Sequence, residues 1–481
     1  MNVMLLLFAW LSIVGITHSH KTLPEDISYK SPLYSIPEKD IDFLYDLTYE
    51  DSTGQNINHQ EIFTQAFSII NNANDFIILD MFLYNDYANE GTEIYRQLAD
   101  ELTEKLLRKQ VENPGIDITI ITDPINSCYG GCQSDQLEKL ELAGISVITS
   151  DLRKLRDSNP LYSSFWRTFI QWFGNNDRGG IFRHPFSNSE SKVTLRSYLN
   201  LVNFKANHRK LIVADNKDSF SLLVMSANPH DGSSAHSNVA FCINGNMGID
   251  AYRSEVAVAD FTDISINRDI SQKNPKLIED KSDNIFVQLL TEHSIKEELI
   301  NQLSSLAKDD EVDIAMFYLS DRDIIKCLLK AMNRGTKLRL ILDPNKDAFG
   351  YEKNGIPNRQ VAHELSGVLS EGSQIRWYDT SGEQFHTKMI IINRMTGISN
   401  IFLGSANLTR RNLDDFNLET DVRIQALSDS DIITEINDYF HTIWSNEDNM
   451  QYTVDYEIYS DSSRWKTFIY RFQEFTGLCT Y

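Results

Sequence analysis

The sequence predicts an α/β protein built from two similar halves related by a pseudo-twofold. Each half is expected to be a mostly parallel or mixed sheet covered by helices. Three observations predict this. Apolar, β-branched runs alternate with helix-patterned segments along most of the chain. The same series of runs occurs twice, in the same order. A His-x-Lys motif stands at the same place in each series, at His208/Lys210 and at His386/Lys388.

The first 20 residues, MNVMLLLFAWLSIVGITHSH, hold an apolar run from Val3 to Ile16. It is short for a spanning helix, which needs about 20 residues. Gly15, Thr17 and Ser19 follow as small or polar residues, so residues 1–19 read as a secretory signal or an N-terminal anchor. No Lys or Arg precedes the run, which is atypical of a signal. The expected location is therefore exported, periplasmic or secreted, or anchored to a membrane.

Residues 20–245 form the first half. EIFTQAFSIINNA from Glu61 has helical periodicity. DFIILDMFLYND from Asp75 and IDITIITDPIN from Ile116 read as strands buried on both faces. Their partners in the second half, residues 286–450, are EVDIAMFYLSDR from Glu311 and TKLRLILDPNK from Thr336. These pairs align Met81-Phe82 with Met316-Phe317, and Asp123-Pro124 with Asp343-Pro344. The motif strands follow: NHRKLIVAD from Asn207 and FHTKMIIIN from Phe385. Next, SFSLLVMSANP from Ser219 pairs with SNIFLGSANLT from Ser399, and HSNVAF from His236 with DFNLET from Asp415.

The halves differ in length. The Asp-Pro turns are 220 residues apart and the histidines only 178, so the first half carries 42 more residues. The surplus lies in an aromatic insertion of about 153–200, which includes Trp166, Phe169, Trp172 and Phe173. It reads either as core packing or as an interfacial element that enters a lipid headgroup region. Residues 246–285 are polar in their later part and read as a linker. Residues 451–481 read as a helical tail whose aromatics recur at helical spacing.

Composition bounds the function. The chain has 481 residues, 41% hydrophobic, and a net charge of -23. So acidic a chain repels phosphate backbones, so no nucleic-acid partner is expected. Among five cysteines, Cys128 and Cys132 lie in CYGGC and are the expected disulfide pair if the chain is exported. Zinc is a second reading of that pair, without a CxxC or HxxxH to support it. Cys242 and Cys327 lie in apolar surroundings and read as core.

A histidine near neutral pH serves as nucleophile, base or acid. A lysine two residues on along a strand points to the same face. Together they suit a phosphoryl group: imidazole attacks phosphorus while ammonium neutralises the non-bridging oxygens. Two such pairs supply an attacking histidine, an acid for the leaving alcohol and two cations, so no metal or other cofactor is required. Asn228 and Asn407, with Ser226 and Ser405, are further donors at the ends of adjoining strands, and Asp215 and Asn393 close the two motifs. His184, His230 and His236 read as loop or supporting residues.

The doubled HxKxxxx(D/N), each followed by a Ser-Ala-Asn segment, resembles the phospholipase D superfamily over roughly residues 59 to 445. DPNKDAFGYEKNGIPNR from Asp343 and NPLYSSFWRTFIQWFG from Asn159 look most like bacterial members near the cardiolipin synthases. The resemblance implies two phospholipase D-like domains and a covalent phosphohistidine resolved by water or an alcohol acceptor. It implies a phospholipase D or phosphatidyltransferase acting on phospholipids at a membrane surface. A nuclease of the same mechanism and a non-catalytic membrane-binding module are the alternatives. Carried over by position, the catalytic set is His208, Lys210, Asn228, His386, Lys388, Asn407 and the imidazole-orienting Glu419. In the repeat alignment Ala240 faces Glu419, so one orienting carboxylate is missing, and Met225 replaces the glycine seen at Gly404. Family analogy makes His208 the nucleophile and His386 the acid. Trp166, Trp172, Lys346 and Arg359 are the expected substrate-binding residues. The resemblance fits both hydrolysis and transfer, because both pass through the same intermediate and exclusion of water decides between them.

Overall fold

The computed structural model describes residues 2–24, 26–88, 94–187, 191–217, 219–266, 285–348, 351–479 and 481. An apolar helix α1 (Asn2–His20) precedes β1 (Tyr34–Ser35), β2 (Ile41–Glu50) and β3 (Asn56–His59). Then come α2 (Ile62–Asn72), β4 (Phe76–Met81), α3 (Leu98–Glu112), β5 (Asp117–Thr122), α4 (Asp135–Leu142) and β6 (Ser146–Thr149). The insertion contributes α5 (Pro160–Phe169), a small hairpin of β7 (Phe182–Arg183) and β8 (Lys192–Val193), and α6 (Leu195–Leu201). The first half closes with β9 (Lys210–Asn216), β10 (Ser219–Met225), β11 (Asn238–Asn244) and α7 (Met247–Phe261).

The second half repeats the scheme. It runs β12 (Phe286–Thr291), α8 (His293–Ser304), β13 (Glu311–Met316), α9 (Arg322–Asn333) and β14 (Lys337–Leu342). A short hairpin of β15 (Asp347–Ala348) and β16 (Tyr351–Glu352) leads to α10 (Asn358–Ser366) and β17 (Gln374–Tyr378). Then follow β18 (Lys388–Asn393), β19 (Ile398–Gly404), α11 (Arg410–Leu413), β20 (Thr420–Leu427), α12 (Asp431–Ser445), β21 (Thr453–Asp455) and α13 (Arg464–Thr476).

The first sheet has the order β3-β2-β11-β10-β9-β4-β5-β6, and the second β1-β12-β20-β19-β18-β13-β14-β17-β21. In each, the three strands that helices connect are parallel (β4, β5, β6; β13, β14, β17) and the motif strand pairs antiparallel with the first of them. A helix must cross over between parallel neighbours, and hairpins join antiparallel ones, so the alternating sequence pattern dictates this mixed topology.

The sheets bury their inner faces against each other. Phe43, Val224 and Phe241 from the first share one core with Leu403, Val422 and Ile424 from the second. The outer face of the first sheet is covered by apolar residues of α2, α3 and α4, and that of the second by α8, α9 and α10. Among the isolated strand-like bridges that cross between the halves are Asn207 with Leu418 and Ser237 with Phe385. Both lie one residue from a motif histidine or beside its orienting group.

The stretch expected to be a linker begins as a helix. α7 is wedged between the sheets, with Met247, Ala251, Val258 and Phe261 in the shared core. It has a partner in the repeat after all: α12 follows β20 as α7 follows β11, and its Ile432, Ile436 and Tyr439 enter the same core. The remainder of that expected linker, residues 267–284, lies outside the described residues. The tail is also more integrated than its name suggests, because β21 extends the second sheet beyond β17.

Candidate functional site

Both motif histidines lie just before the first residue of their strands, on the loop end that enters the sheet. An aspartate of each Asp-Pro turn fixes the residue ahead of the histidine. Asp123 accepts the Asn207 N–H at 2.8 Å, and Asp343 accepts the Phe385 N–H at 2.8 Å. Both carboxyls are buried, which pushes Asp123 up to about 7 and Asp343 to about 6. The repeated Asp-Pro is therefore a buried clamp on the motif loop.

The histidines and lysines of the two halves converge. Burial first, then the charges of Lys210 and Lys388, holds the His208 imidazole well below its ordinary range. His386 is lowered likewise by burial, Lys388, His236, Lys210 and His208. Lys210 donates to the His208 carbonyl at 2.7 Å and Lys388 to the His386 carbonyl at 2.9 Å. Each ammonium also lies over a phenylalanine ring, Phe82 at 5.0 Å and Phe317 at 5.4 Å. The same two rings pack on the imidazoles, at 4.7 Å from His208 and 5.0 Å from His386. Burial pushes Lys210 down to about 7, and burial with Lys210 beside it holds Lys388 well below its ordinary range. The charge of Lys210 lowers Lys388, so an anion bound between them would favour both ammonium forms.

The imidazoles differ at Nδ1. His208 Nδ1 lies 2.9 Å from Glu419 Oε2, whereas His386 Nδ1 lies 3.1 Å from Asn238 Oδ1. Each orienting group comes from the opposite half. Ser405 donates to Glu419 Oε2 at 2.6 Å, and Asn412 donates to Oε1. Ser226 likewise donates to Asn238 Oδ1 at 3.0 Å. Burial raises Glu419 to about 8 against the pull of Lys210, Ser405 and Asn412. The Glu419 backbone N–H donates at 3.0 Å to Glu292, which also binds the buried Arg209 at 2.7 and 2.9 Å.

This register corrects the repeat alignment. Ser226 N–H donates to the Val239 carbonyl and Ser405 N–H to the Thr420 carbonyl, so Asn238, not Ala240, is the counterpart of Glu419. Ala240 lies in the helix-covered core of the first sheet. The asymmetry stands, with an amide in place of the second carboxylate.

The other expected residues sort clearly. Asn228 accepts the Leu83 N–H at 3.3 Å, and the Oδ1 of Asn407 is buried without a partner among the described residues. Asp215 and Asn393 sit at the far ends of their strands, roughly 20 Å of extended chain from the histidines. Asp215 accepts the N–H groups of Asp75 and Phe76 at 2.7 and 2.8 Å, and Asn393 binds Ser399 and Asn437. They staple strands and do not face the convergence of histidines and lysines. Lys346 and Arg359 lie over the Tyr459 ring, and Arg359 donates to the Pro344 carbonyl at 2.8 Å. From that loop it is Lys353 that reaches toward the site, through Tyr318, whose ring packs on Phe317. Trp166 is buried, lining a small cavity with Tyr129, Asn203 and Lys205, whereas Trp172 is 74% exposed.

Sequence reading missed Asn238, Phe82, Phe317 and Arg411. Arg411 adds its charge to His208 and carries a buried Nε with no partner among the described residues. The aligned Met-Phe pairs held the only signal for the two phenylalanines. Cys128 and Cys132, expected as a disulfide, are free thiols here.

The family described as "Cardiolipin synthase, PLD-like domain" matches residues 299–444. No curated protein matches the chain. Among solved structures, phosphatidylserine synthase of Haemophilus influenzae Rd KW20 is similar over 97% of this chain and 98% of its own, with 12% identity and a TM-score of 0.55. Nuc of Salmonella typhimurium, titled a phospholipase D family member, covers 34% of this chain and 95% of its own, with 18% identity and a TM-score of 0.27.

Proposed function

We propose that the chain acts as a member of the phospholipase D superfamily, whose cardiolipin synthase-like model matches residues 299–444, and that it cleaves or exchanges the headgroup of a phospholipid through a covalent phosphohistidine at His208. The unequal Nδ1 partners carry this reading. A carboxylate on Nδ1 stabilises the positive charge that the ring gains when Nε2 attacks phosphorus, which suits Glu419 to a nucleophile. An amide on Nδ1 leaves the imidazolium a stronger acid, which suits Asn238 to the proton donor. In the first step the His208 Nε2–P bond forms and the phosphorus–headgroup oxygen bond breaks. That oxygen takes its proton from His386. In the second, water or an alcohol returns a proton to His386, attacks phosphorus and frees His208. Lys210, Lys388 and the side chains of Asn228 and Asn407 bind the non-bridging oxygens. The substrate anion offsets the two ammonium charges and brings His386 back toward a protonated state.

A lipid substrate is supported by one face of the molecule. α5 docks on α1, with Trp10 Nε1 donating to Thr168 at 3.2 Å. The C-terminal end of α13 abuts the chain just ahead of α5, where Gly477 at φ +72° lies against Ser158. These helices expose Phe8, Trp10, Phe165, Phe169, Trp465 and Phe475. An apolar, aromatic face of that kind suits insertion at a bilayer interface. α1 is long and apolar enough to cross a membrane by length and composition, which suits a signal or an anchor. The chain's -23 charge speaks against a nuclease.

The test is incubation of the protein with phosphatidylglycerol, with and without glycerol, in EDTA, with products read by mass spectrometry. Free glycerol, phosphatidic acid or cardiolipin is expected from the wild type, together with an alkali-stable adduct on the His208 peptide. Turnover that survives in His208→Ala would refute the reading.

A further inference from the structure

The insertion brings His184 onto the loop that holds Cys128 and Cys132. Cys128 Sγ lies 2.8 Å from His184 Nε2, Cys132 Sγ lies 3.9 Å from it, and all three atoms fall within 4.8 Å of one another. Cys128 and His184 are buried, while Cys132 is partly exposed. The Tyr87 ring packs edge-on to His184 at 4.4 Å, and its hydroxyl lies 3.4 Å from Cys132 Sγ. The loop is strained: Cys128 and Tyr129 adopt positive φ of 46° and 57°, ahead of Gly130 at 75°.

The hydrogen bonding of His184 decides what this cluster suits. Its Nδ1 accepts the Phe186 N–H at 3.2 Å. The neutral ring then carries its proton on Nε2, the nitrogen facing the sulfurs. That tautomer offers sulfur a donor, whereas a metal at Nε2 needs its lone pair, with a proton on Nδ1. A donor shared between two adjacent sulfurs stabilises a thiolate.

We propose that Cys128 and Cys132, served by His184, are a redox-active dithiol that a low-molecular-weight disulfide converts to an internal disulfide. Cys132, the accessible sulfur, attacks one sulfur of the disulfide RSSR. The S–S bond breaks, RS⁻ departs, and a mixed disulfide forms on Cys132. Cys128 then attacks the Cys132 sulfur, the mixed bond breaks and the second RS⁻ leaves with the Cys128 proton. The protein loses two electrons and two thiol protons, and RSSR becomes two RSH. Consistent with this order, the hydrogen bond from Cys128, aided by His184, pulls the Cys132 thiol down to about 5, while that contact and burial push Cys128 up.

Cys327 is an internal control, partly exposed, with its sulfur 3.6 Å from Ser304 Oγ and no thiol or imidazole in contact among the described residues. At pH 5.5 a thiol near 5 is mostly ionised and an ordinary one about a thousandth so. The lower nucleophilicity of the more acidic thiolate returns part of that gain, leaving an advantage of roughly tenfold. Iodoacetamide labelling of the full chain, read by peptide mass spectrometry, is expected to show Cys132 reacting about tenfold faster than Cys327. His184→Phe, which keeps a ring against Tyr87, is expected to remove most of that advantage. Glutathione disulfide is expected to yield a Cys128–Cys132 linkage that dithiothreitol reverses. Equal labelling of Cys132 and Cys327 with no such linkage overturns the proposal. So does one equivalent of zinc released from the isolated protein when its thiols are blocked.

Discussion

Replacing Glu419 by Gln removes one charge and almost nothing else, so it isolates what the carboxylate does for His208. Oε2 takes both His208 Nδ1 and the Ser405 hydroxyl, and the Gln carbonyl keeps both contacts when placed there. The new amide then faces Asn412, whose side chain can turn its oxygen toward it, since its present partner Thr409 is a hydroxyl at 2.6 Å. A charge about 4 Å from the forming imidazolium at an effective dielectric of about 20 is worth about 4 kcal/mol. The retained hydrogen bond keeps about 1 to 1.5 of that. The remaining 2.5 to 3 kcal/mol corresponds to a fall of roughly 70- to 150-fold in the rate of phosphohistidine formation. Single-turnover cleavage of phosphatidylglycerol in mixed micelles measures it directly. Stability should move the other way. The folded-state value of Glu419, about 8, stands above the ordinary range, so its ionisation costs stability progressively as pH rises from about 4.5 toward 8. Glu419→Gln should therefore melt no lower than the wild type, and relatively higher at pH 8 than at pH 5. A rate within threefold of wild type in a folded variant would refute the role assigned to Glu419.

Four further outcomes follow from the same geometry. Asn238→Asp places a carboxylate on His386, makes its imidazolium a weaker acid, and should slow headgroup release by about 10- to 100-fold in the range of general-acid effects, with good leaving groups spared. The pH profile of kcat/KM should be a bell with its maximum between 7 and 8: ionised Glu419 is lost as pH falls below about 8 and charged Lys210 as pH rises above about 7, and the limbs belong to the coupled pair. A flat profile from 6 to 9 would contradict it. Asp157→Asn strands the buried Arg167 and Lys205, both within 2.8 Å or closer of that carboxylate, and should cost about 3 to 5 kcal/mol in urea unfolding. Replacing Phe165, Phe169, Trp465 and Phe475 together by Ser should weaken sedimentation with phosphatidylglycerol vesicles by at least about 100-fold, at about 1 to 2 kcal/mol per aromatic, while turnover of a soluble phosphodiester stays unchanged.

The duplicated fold and the convergence of the two motifs were legible because apolar period and motif spacing survive in both halves. What was not legible has identifiable physical causes. Glu419 was set against Ala240 because a shift of two residues along a strand leaves every side chain on its original face, so the apolar pattern cannot detect it. The inter-strand hydrogen bonds that reveal Asn238 are invisible in one dimension. α7 escaped notice because a helix packed between two sheets is buried on several sides and shows little amphipathic contrast. Lys346 and Arg359 looked available because they are basic, but Tyr459 and Pro344 already hold them. Arg411 carries no motif of its own and enters only through tertiary folding.

The reciprocal exchange of orienting groups has an evolutionary consequence. Glu419 serves a histidine of the other half, and Asn238 does the same in return. A homodimer of a single half would therefore present two carboxylates or two amides, and never one of each. Such an ancestor would have two interchangeable imidazoles, each obliged to be a passable nucleophile and a passable acid. The proposed division of labour between the histidines therefore needs two unlike copies, and a strand-level exchange of the two orienting residues should reverse which imidazole carries the adduct.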